Sequence, residues 1–342
     1  MITGHGNNPE EFKENLQADF STSVYFGGMP TGLKTYLESR VDRVVNYPEP
    51  ASTTLRERIA AFHGVERSHV IVCNGSTEAF YMLAACFARQ TSSILVPSFS
   101  EYEDACRLHE HELEFIGKGL SLQDIPSGSR LIWLANPNNP DGRMYSRQEI
   151  KELCEADPAR RIIVDEAFSG MCPGSESAIG LSADLPNLIV VRSLTKSFAI
   201  PGIRLGYLVL HQDAAKLLSP YQVPWSVNTL AQEAGMYIIE RYNDLFPDVE
   251  QLTERSKKLQ QVLMSDIPGL LVTPSACHYF LVRLCRGRAS ELKTFLLDRY
   301  GVLIRDASNF RGLDASYFRL AVQKEAQNQA LTEGIREWIS GQ

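Results

Sequence analysis

Lys196 stands in the stretch S-L-T-K-S-F-A-I-P-G-I-R-L-G-Y (residues 193–207), among hydroxyl and apolar side chains, with Arg204 the next cation downstream. A lysine that snorkels along an apolar face has no chemistry to do. An amine set between hydroxyls and an apolar run has a second use, because its surroundings can tune it as a nucleophile. Arg204 offers a planar cation suited to phosphate, and Ser193 and Thr195 offer hydroxyls beside it. Upstream, N-G-S-T-E (residues 74–78) places Gly75, which allows close backbone approach, before Ser76 and Thr77 at the start of a helical pattern. That arrangement serves either as a phosphate cup or as an ordinary helix cap. Asp165 closes the apolar run R-I-I-V-D, where a lone carboxylate is costly, so it needs a cation, a salt bridge or a capping role. Phe99 in P-S-F-S-E-Y and Asn139 in N-P-N-N-P complete the set. Their plain alternatives are core packing and a turn.

These residues have to be positioned by something, and an alternation of short β-rich runs with helical patterns supplies it. The runs lie at 70–73, 93–96, 113–116, 131–135, 162–165, 188–192 and 205–210. Continuous apolar runs such as L-I-W-L-A and N-L-I-V-V suit strands buried on both faces, and their alternation with helices predicts a mostly parallel sheet. Ligands of such sheets bind outside the carboxyl ends of the strands, where the residues above fall. Beyond Pro224 the pattern changes to long helices over 229–242 and 248–266, then strands near 279–284, 303–305 and 318–322. The expected fold class is α/β. Residues 1–30 form an arm, 31–228 a large domain, and 229–342 a smaller α+β domain.

Neither a Walker sequence nor G-x-G-x-x-G is present, so ordinary nucleotide motifs are absent. One ligand would use the whole set: a phosphate, a flat ring with a basic nitrogen, and an aldehyde. Pyridoxal 5'-phosphate has these parts, its aldehyde forming a Schiff base with a lysine. On this reading Gly75, Ser76, Thr77, Ser193, Thr195 and Arg204 hold the phosphate beside the Lys196 amine.

The ordered motifs G-S-T-E, P-x-F-x-x-Y, N-P-N-N-P, D-E-A-F, S-L-T-K and G-I-R-L-G-Y resemble those of fold-type-I pyridoxal-phosphate enzymes of the aspartate aminotransferase superfamily, over nearly the whole chain. Two branches are similar: threonine-phosphate decarboxylases of cobalamin biosynthesis and histidinol-phosphate aminotransferases. The amino end G-H-G-N-N, the stretch P-W-S-V-N and the stretch 303–322 look more like the decarboxylases. The resemblance implies an aspartate-aminotransferase-like homodimer with Lys196 and Asp165 as catalytic residues. Asp165 would face the ring nitrogen, Asn139 the ring oxygen and Phe99 the ring face. Tyr47 would reach the partner subunit's cofactor phosphate. Arg319 would take the substrate carboxylate, and Arg305 with His5 the substrate phosphate. The implied activity is decarboxylation of O-phospho-L-threonine to aminopropanol phosphate. The other branch implies transamination of histidinol phosphate or another amino acid with 2-oxoglutarate or glutamate. The chain departs from the family pattern at Ser23, Tyr25 and Phe26, in place of Asn-x-Asn-Pro, and at His278, in place of asparagine. Phe168 lacks the hydroxyl that tyrosine gives many aminotransferases, as the decarboxylases also do.

The 342 residues, 44% of them hydrophobic, are enough for a large core and a smaller one. A net charge of −7 argues against nucleic acid or an anionic membrane as partner. Seven scattered cysteines without a C-x-x-C pair predict free thiols in a reduced compartment. The start lacks the features of a secretory signal, so a cytoplasmic protein is expected. H-E-H-E (109–112) lacks the spacing of a tight metal site and reads as a solvated face; no metal is expected.

Overall fold

Apolar runs buried on both faces build the centre of the molecule, whose computed structural model describes residues 16–117, 119 and 121–342. After the two-residue strand β1 (Ala18–Asp19) come β2 (Val70–Cys73), β3 (Thr91–Leu95), β4 (Glu112–Ile116), β5 (Leu131–Ala135), β6 (Arg161–Asp165), β7 (Leu188–Ser193) and β8 (Gly206–Leu210). The last seven form one sheet in the order β2-β8-β7-β6-β5-β3-β4. β3 to β7 run parallel; β8 is antiparallel to both its neighbours. Between β7 and β8 lies only a 3-10 turn, Pro201–Ile203, and no crossover helix, so the chain returns antiparallel. That return carries Lys196.

Alternate residues of each strand enter different cores. Val70, Val72, Ile132 and Leu134 pack on one face, and Ile71, Cys73, Leu131 and Trp133 on the other. The second sheet is antiparallel, in the order β12-β13-β10-β9, from β9 (Leu270–Val272), β10 (Tyr279–Leu284), β12 (Arg305–Asp306) and β13 (Tyr317–Ala321). β11 (Val302–Leu303) pairs in parallel with β1. The expected strand at 303–305 is thus two short strands that turn toward different partners. Helices Val249–Asp266, Ala289–Tyr300 and Glu325–Ser340 cover this sheet through Leu263, Leu296 and Ile335 against Phe280 and Phe318.

Three sequence expectations change. The helix Thr229–Glu240, assigned above to the smaller domain, buries Ala231, Ala234 and Ile238 in the core of the larger sheet with Leu33 and Leu55. Its apolar stripe shows that it is buried; which core it joins is a matter of tertiary contact. Cys172 and Cys277, 105 residues apart, are joined in a disulfide, so the chain does not keep seven free thiols. Such a pair is brought together by folding and has no spacing to reveal it. In H-E-H-E, His111 is buried, bonded to Ser92 Oγ and the Ala84 carbonyl at 2.8 Å each, while Glu110 and Glu112 face solvent. Among the described residues no helix is long and apolar enough to cross a membrane.

Phe318 lies wholly buried on β13, beside Arg319. Phe318→Ala should destabilise the fold by about 3–5 kcal/mol, read as a lower urea midpoint, through lost burial and the cavity left behind.

Candidate active site

The carboxyl ends of β2, β3, β5, β6 and β7 open onto one cleft, and β12 and β13 of the smaller sheet close its far side. Ser76, Thr77, Phe99, Asn139, Asp165, Thr195, Lys196, Arg204, Arg305 and Arg319 all line it. Gly75 and Ser193 stand just behind. Tyr47 is 87% exposed against the Trp225 ring and lies outside the cleft of its own chain. His5 lies outside the described residues.

The cup is formed by close approach. Gly75 has φ +77°, and a Cβ there would lie 2.3 Å from Arg204 Nη2. A Cβ on Gly206 would lie 2.5 Å from the Ser76 amide nitrogen. Both glycines therefore let the arginine and the amino end of helix Gly75–Cys86 crowd onto one point, which favours an anion. The Ser193 and Thr195 hydroxyls are 2.8 Å apart, so Ser193 orients Thr195, which faces the cleft.

Asp165 ends β6, buried at the floor of the cleft. The Tyr102 hydroxyl donates to its Oδ2 at 2.5 Å and the Ala167 N–H to its Oδ1 at 2.9 Å. Burial nonetheless raises its pKa to about 6. Among the described residues no cation forms an ion pair with it. Tyr102, the last residue of the motif P-S-F-S-E-Y, is a site residue beyond those the sequence pattern points to. It follows Phe99 by three positions, and that spacing brings both rings to the cleft.

The Lys196 amine is pushed down to about 8, first by burial and then by the positive charges of Arg319 and Arg204; Asp165 opposes them. Arg319 donates from Nη1 to Asn139 Oδ1 and from Nη2 to the Ser21 carbonyl, both at 2.5 Å. Its Nε is buried with no hydrogen-bond partner among the described residues. Arg305 donates to Asn309 Oδ1 at 2.8 Å and to the Asp306 carbonyl, and lies over the Phe310 ring. The departures from the family pattern meet here too. His278 is held neutral, its pKa lowered to about 4 by burial, and donates from Nε2 to the Ser23 carbonyl at 2.9 Å. Ser23 lines the cleft, while Tyr25 donates its N–H to the Lys196 carbonyl at 2.9 Å.

Residues 21–335 match the family model for aminotransferase class I and II. The chain belongs to that family. It is 32% identical over 335 residues to a threonine-phosphate decarboxylase of Salmonella typhimurium, covering 94% of this chain and 91% of the relative. It is 28% identical to a histidinol-phosphate aminotransferase of Thermoanaerobacter pseudethanolicus, covering 86% and 84% of the two chains. The crystal structure of L-threonine-O-3-phosphate decarboxylase from Porphyromonas gingivalis superposes with a TM-score of 0.91 at 36% identity, covering 94% and 99%. The chain is thus a fold-type-I enzyme of this family, and its cofactor is pyridoxal 5'-phosphate. The cleft fits that group: an anion cup that a Cβ would fill, a buried carboxylate with no ion pair among the described residues, and an amine of lowered pKa.

Only the neutral amine attacks an aldehyde. Capture of pyridoxal 5'-phosphate by the cofactor-free protein should therefore speed up as the pH rises through about 8 and then level off. The rate is read from the absorbance of bound cofactor. A rate still climbing toward 10.5, the ordinary lysine value, would mean an untuned amine. Lys196→Ala should abolish the signal.

Proposed function

We propose that the protein decarboxylates O-phospho-L-threonine to aminopropanol phosphate, a step in making the cobalamin side chain. One observation carries this reading. Arg305 and Arg319 are direct cross-strand partners of β12 and β13, both buried and both on the cleft. Like charges so placed repel, and a ligand with two anionic groups relieves the repulsion. An amino acid phosphate brings a carboxylate and a phosphate. Similarity to two decarboxylases over nearly the whole chain supports the same choice.

Bound in the cleft, pyridoxal phosphate supplies a conjugated ring that accepts the electron pair released at the substrate α-carbon. Ser76, Thr77, Thr195 and Arg204 hold its phosphate. Asp165 would face the ring nitrogen, and the positive charge of a protonated ring would stabilise the buried carboxylate. Phe99 covers a ring face. The Asn139 amide oxygen is taken by Arg319, so its N–H is left for the ring oxygen. Arg319 holds the α-carboxylate and Arg305, with His5, the substrate phosphate. Anchors at both ends stop the substrate from rotating, and so decide which α-carbon bond stands perpendicular to the ring. After carbon dioxide leaves, the α-carbon needs a proton. The Lys196 ammonium delivers it from Nζ and regains one from solvent.

We infer a division between the two units near Asp248 rather than at residue 229, because the helix Thr229–Glu240 packs in the larger core and the helix Val249–Asp266 in the smaller one. The working form is a homodimer. Val41, Val44, Val45, Tyr47, Val223 and Trp225 are exposed apolar residues of the kind an interface covers, with Tyr47 reaching the partner's cofactor phosphate.

Cofactor-loaded protein given O-phospho-L-threonine without any keto acid should release carbon dioxide catalytically. Conversion of the cofactor to its amine form, with turnover only on adding 2-oxoglutarate, would make it an aminotransferase instead, as its 28% identical relative is named. Arg319→Ala should lower kcat/KM about tenfold to a hundredfold, the range for losing a charged hydrogen-bond partner. Unchanged kinetics would remove its carboxylate role.

A further inference from the structure

A buried carboxylate ties the segment that carries Arg305 to the larger unit. Glu103 lies in the helix Glu101–Leu108 and is 5% exposed. Its oxygens accept from Arg311 Nε at 2.7 Å and Nη2 at 2.6 Å, a two-pronged bridge, and from Arg107 Nε at 2.8 Å. Burial works against the charge of Glu103, but the hydrogen bonds from the two arginines outweigh it and keep the carboxylate ionised. The Arg311 guanidinium also lies 4.1 Å over the Phe115 ring of β4.

Arg311 belongs to the turn between β12 and β13. Arg305, Asn309 and Phe310, on the same turn and the strand before it, line the cleft and are bonded or stacked to one another. On the other side of the bridge, Tyr102 immediately precedes Glu103 and holds Asp165. One helix turn therefore grips the carboxylate on the cleft floor and, through Arg311, the cationic wall opposite.

We propose that Glu103 and Arg311 form a latch that positions Arg305 for the phosphate of the substrate; this rests on the reading that Arg305 meets that phosphate. Neither latch residue lines the cleft, so both are positioning residues. With the bridge broken, the Arg305–Phe310 turn keeps its own bonds but loses its fixed distance from the floor. Affinity for the phosphorylated end of the substrate then falls, while the cofactor remains held by the larger unit.

The test is steady-state kinetics on O-phospho-L-threonine with cofactor-loaded Arg311→Met, Glu103→Gln, the double variant, Arg107→Met and Arg305→Gln. Arg311 is 43% exposed at its side chain, so its variant remains informative should the buried Glu103 variant fail to fold. Arg311→Met and Glu103→Gln should each raise KM about tenfold, the scale of one charged hydrogen-bonded pair. Their kcat and cofactor affinity should stay near those of the unaltered enzyme, and the double variant should be no worse than either single one. Arg107→Met removes a partner of Glu103 that does not bridge the units, and should leave KM unchanged. Unchanged KM in folded Arg311→Met, while Arg305→Gln raises it, would overturn the latch and leave the reading of Arg305 intact. Unchanged KM in Arg305→Gln, or no turnover by the unaltered enzyme, would overturn that reading and the latch with it. A double variant showing the full sum of the single effects would also overturn the latch.

Discussion

A carboxylate at the end of a strand buried on both faces gives up most of its hydration, and the protein supplies only part of the compensation. Asp165 receives two hydrogen bonds, from Tyr102 and Ala167, yet burial still raises its pKa. The opposite wall carries the reverse imbalance. Arg305 and Arg319 face each other across two strands, and Arg319 keeps a buried N–H without a partner among the described residues. The cleft is thus a set of separated charges that the fold leaves incomplete. On the proposed function, a cofactor with a protonated ring nitrogen and a substrate with two anionic groups would complete it. The lowered pKa of Lys196 follows from the same imbalance, since burial and two arginines disfavour its charged form.

The two sheets divide the work. The larger one, with helices on both faces, supplies the floor: the anion cup, the carboxylate and the lysine, each at the end of a different strand. The smaller one supplies cations from β12 and β13. Residues 18–23 run along the smaller unit and enter the cleft, held by pairing with β11, by Arg319 and by His278. The turn that starts at Phe99 touches both sides. Orientation at the α-carbon decides the reaction, so chemistry supported by the floor is directed by how firmly the wall is placed against it.

Much of this was legible in the sequence because burial leaves a plain mark. Runs such as L-I-W-L-A and the I-I-V of R-I-I-V-D are continuously apolar, which suits a strand covered on both faces, and the strands of the larger sheet agree with those expected within two residues. The ends of those runs then point to the chemistry: Lys196 among apolar neighbours, Asp165 after a buried run, Gly75 before hydroxyls. Less visible were features that depend on contacts between distant segments. Tyr102 reads as a core aromatic until its hydroxyl is seen on Asp165. Glu103 and Arg311, 208 residues apart, look like two ordinary surface charges.

The sequence by itself determined the strands of the larger sheet, the order in which their ends present a cup, a ring face, an amide, a carboxylate and an amine, and the family to which that order belongs. It could do so because local hydrophobic pattern and residue type are properties of short segments. Only the tertiary structure decided that the helix Thr229–Glu240 joins the larger core, that Cys172 meets Cys277, and that residues 302–306 split between two sheets. It alone placed Arg305 opposite Arg319 and shifted the pKa values of Asp165 and Lys196. Register, desolvation and the distance between charges exist only once segments far apart in the chain have packed together.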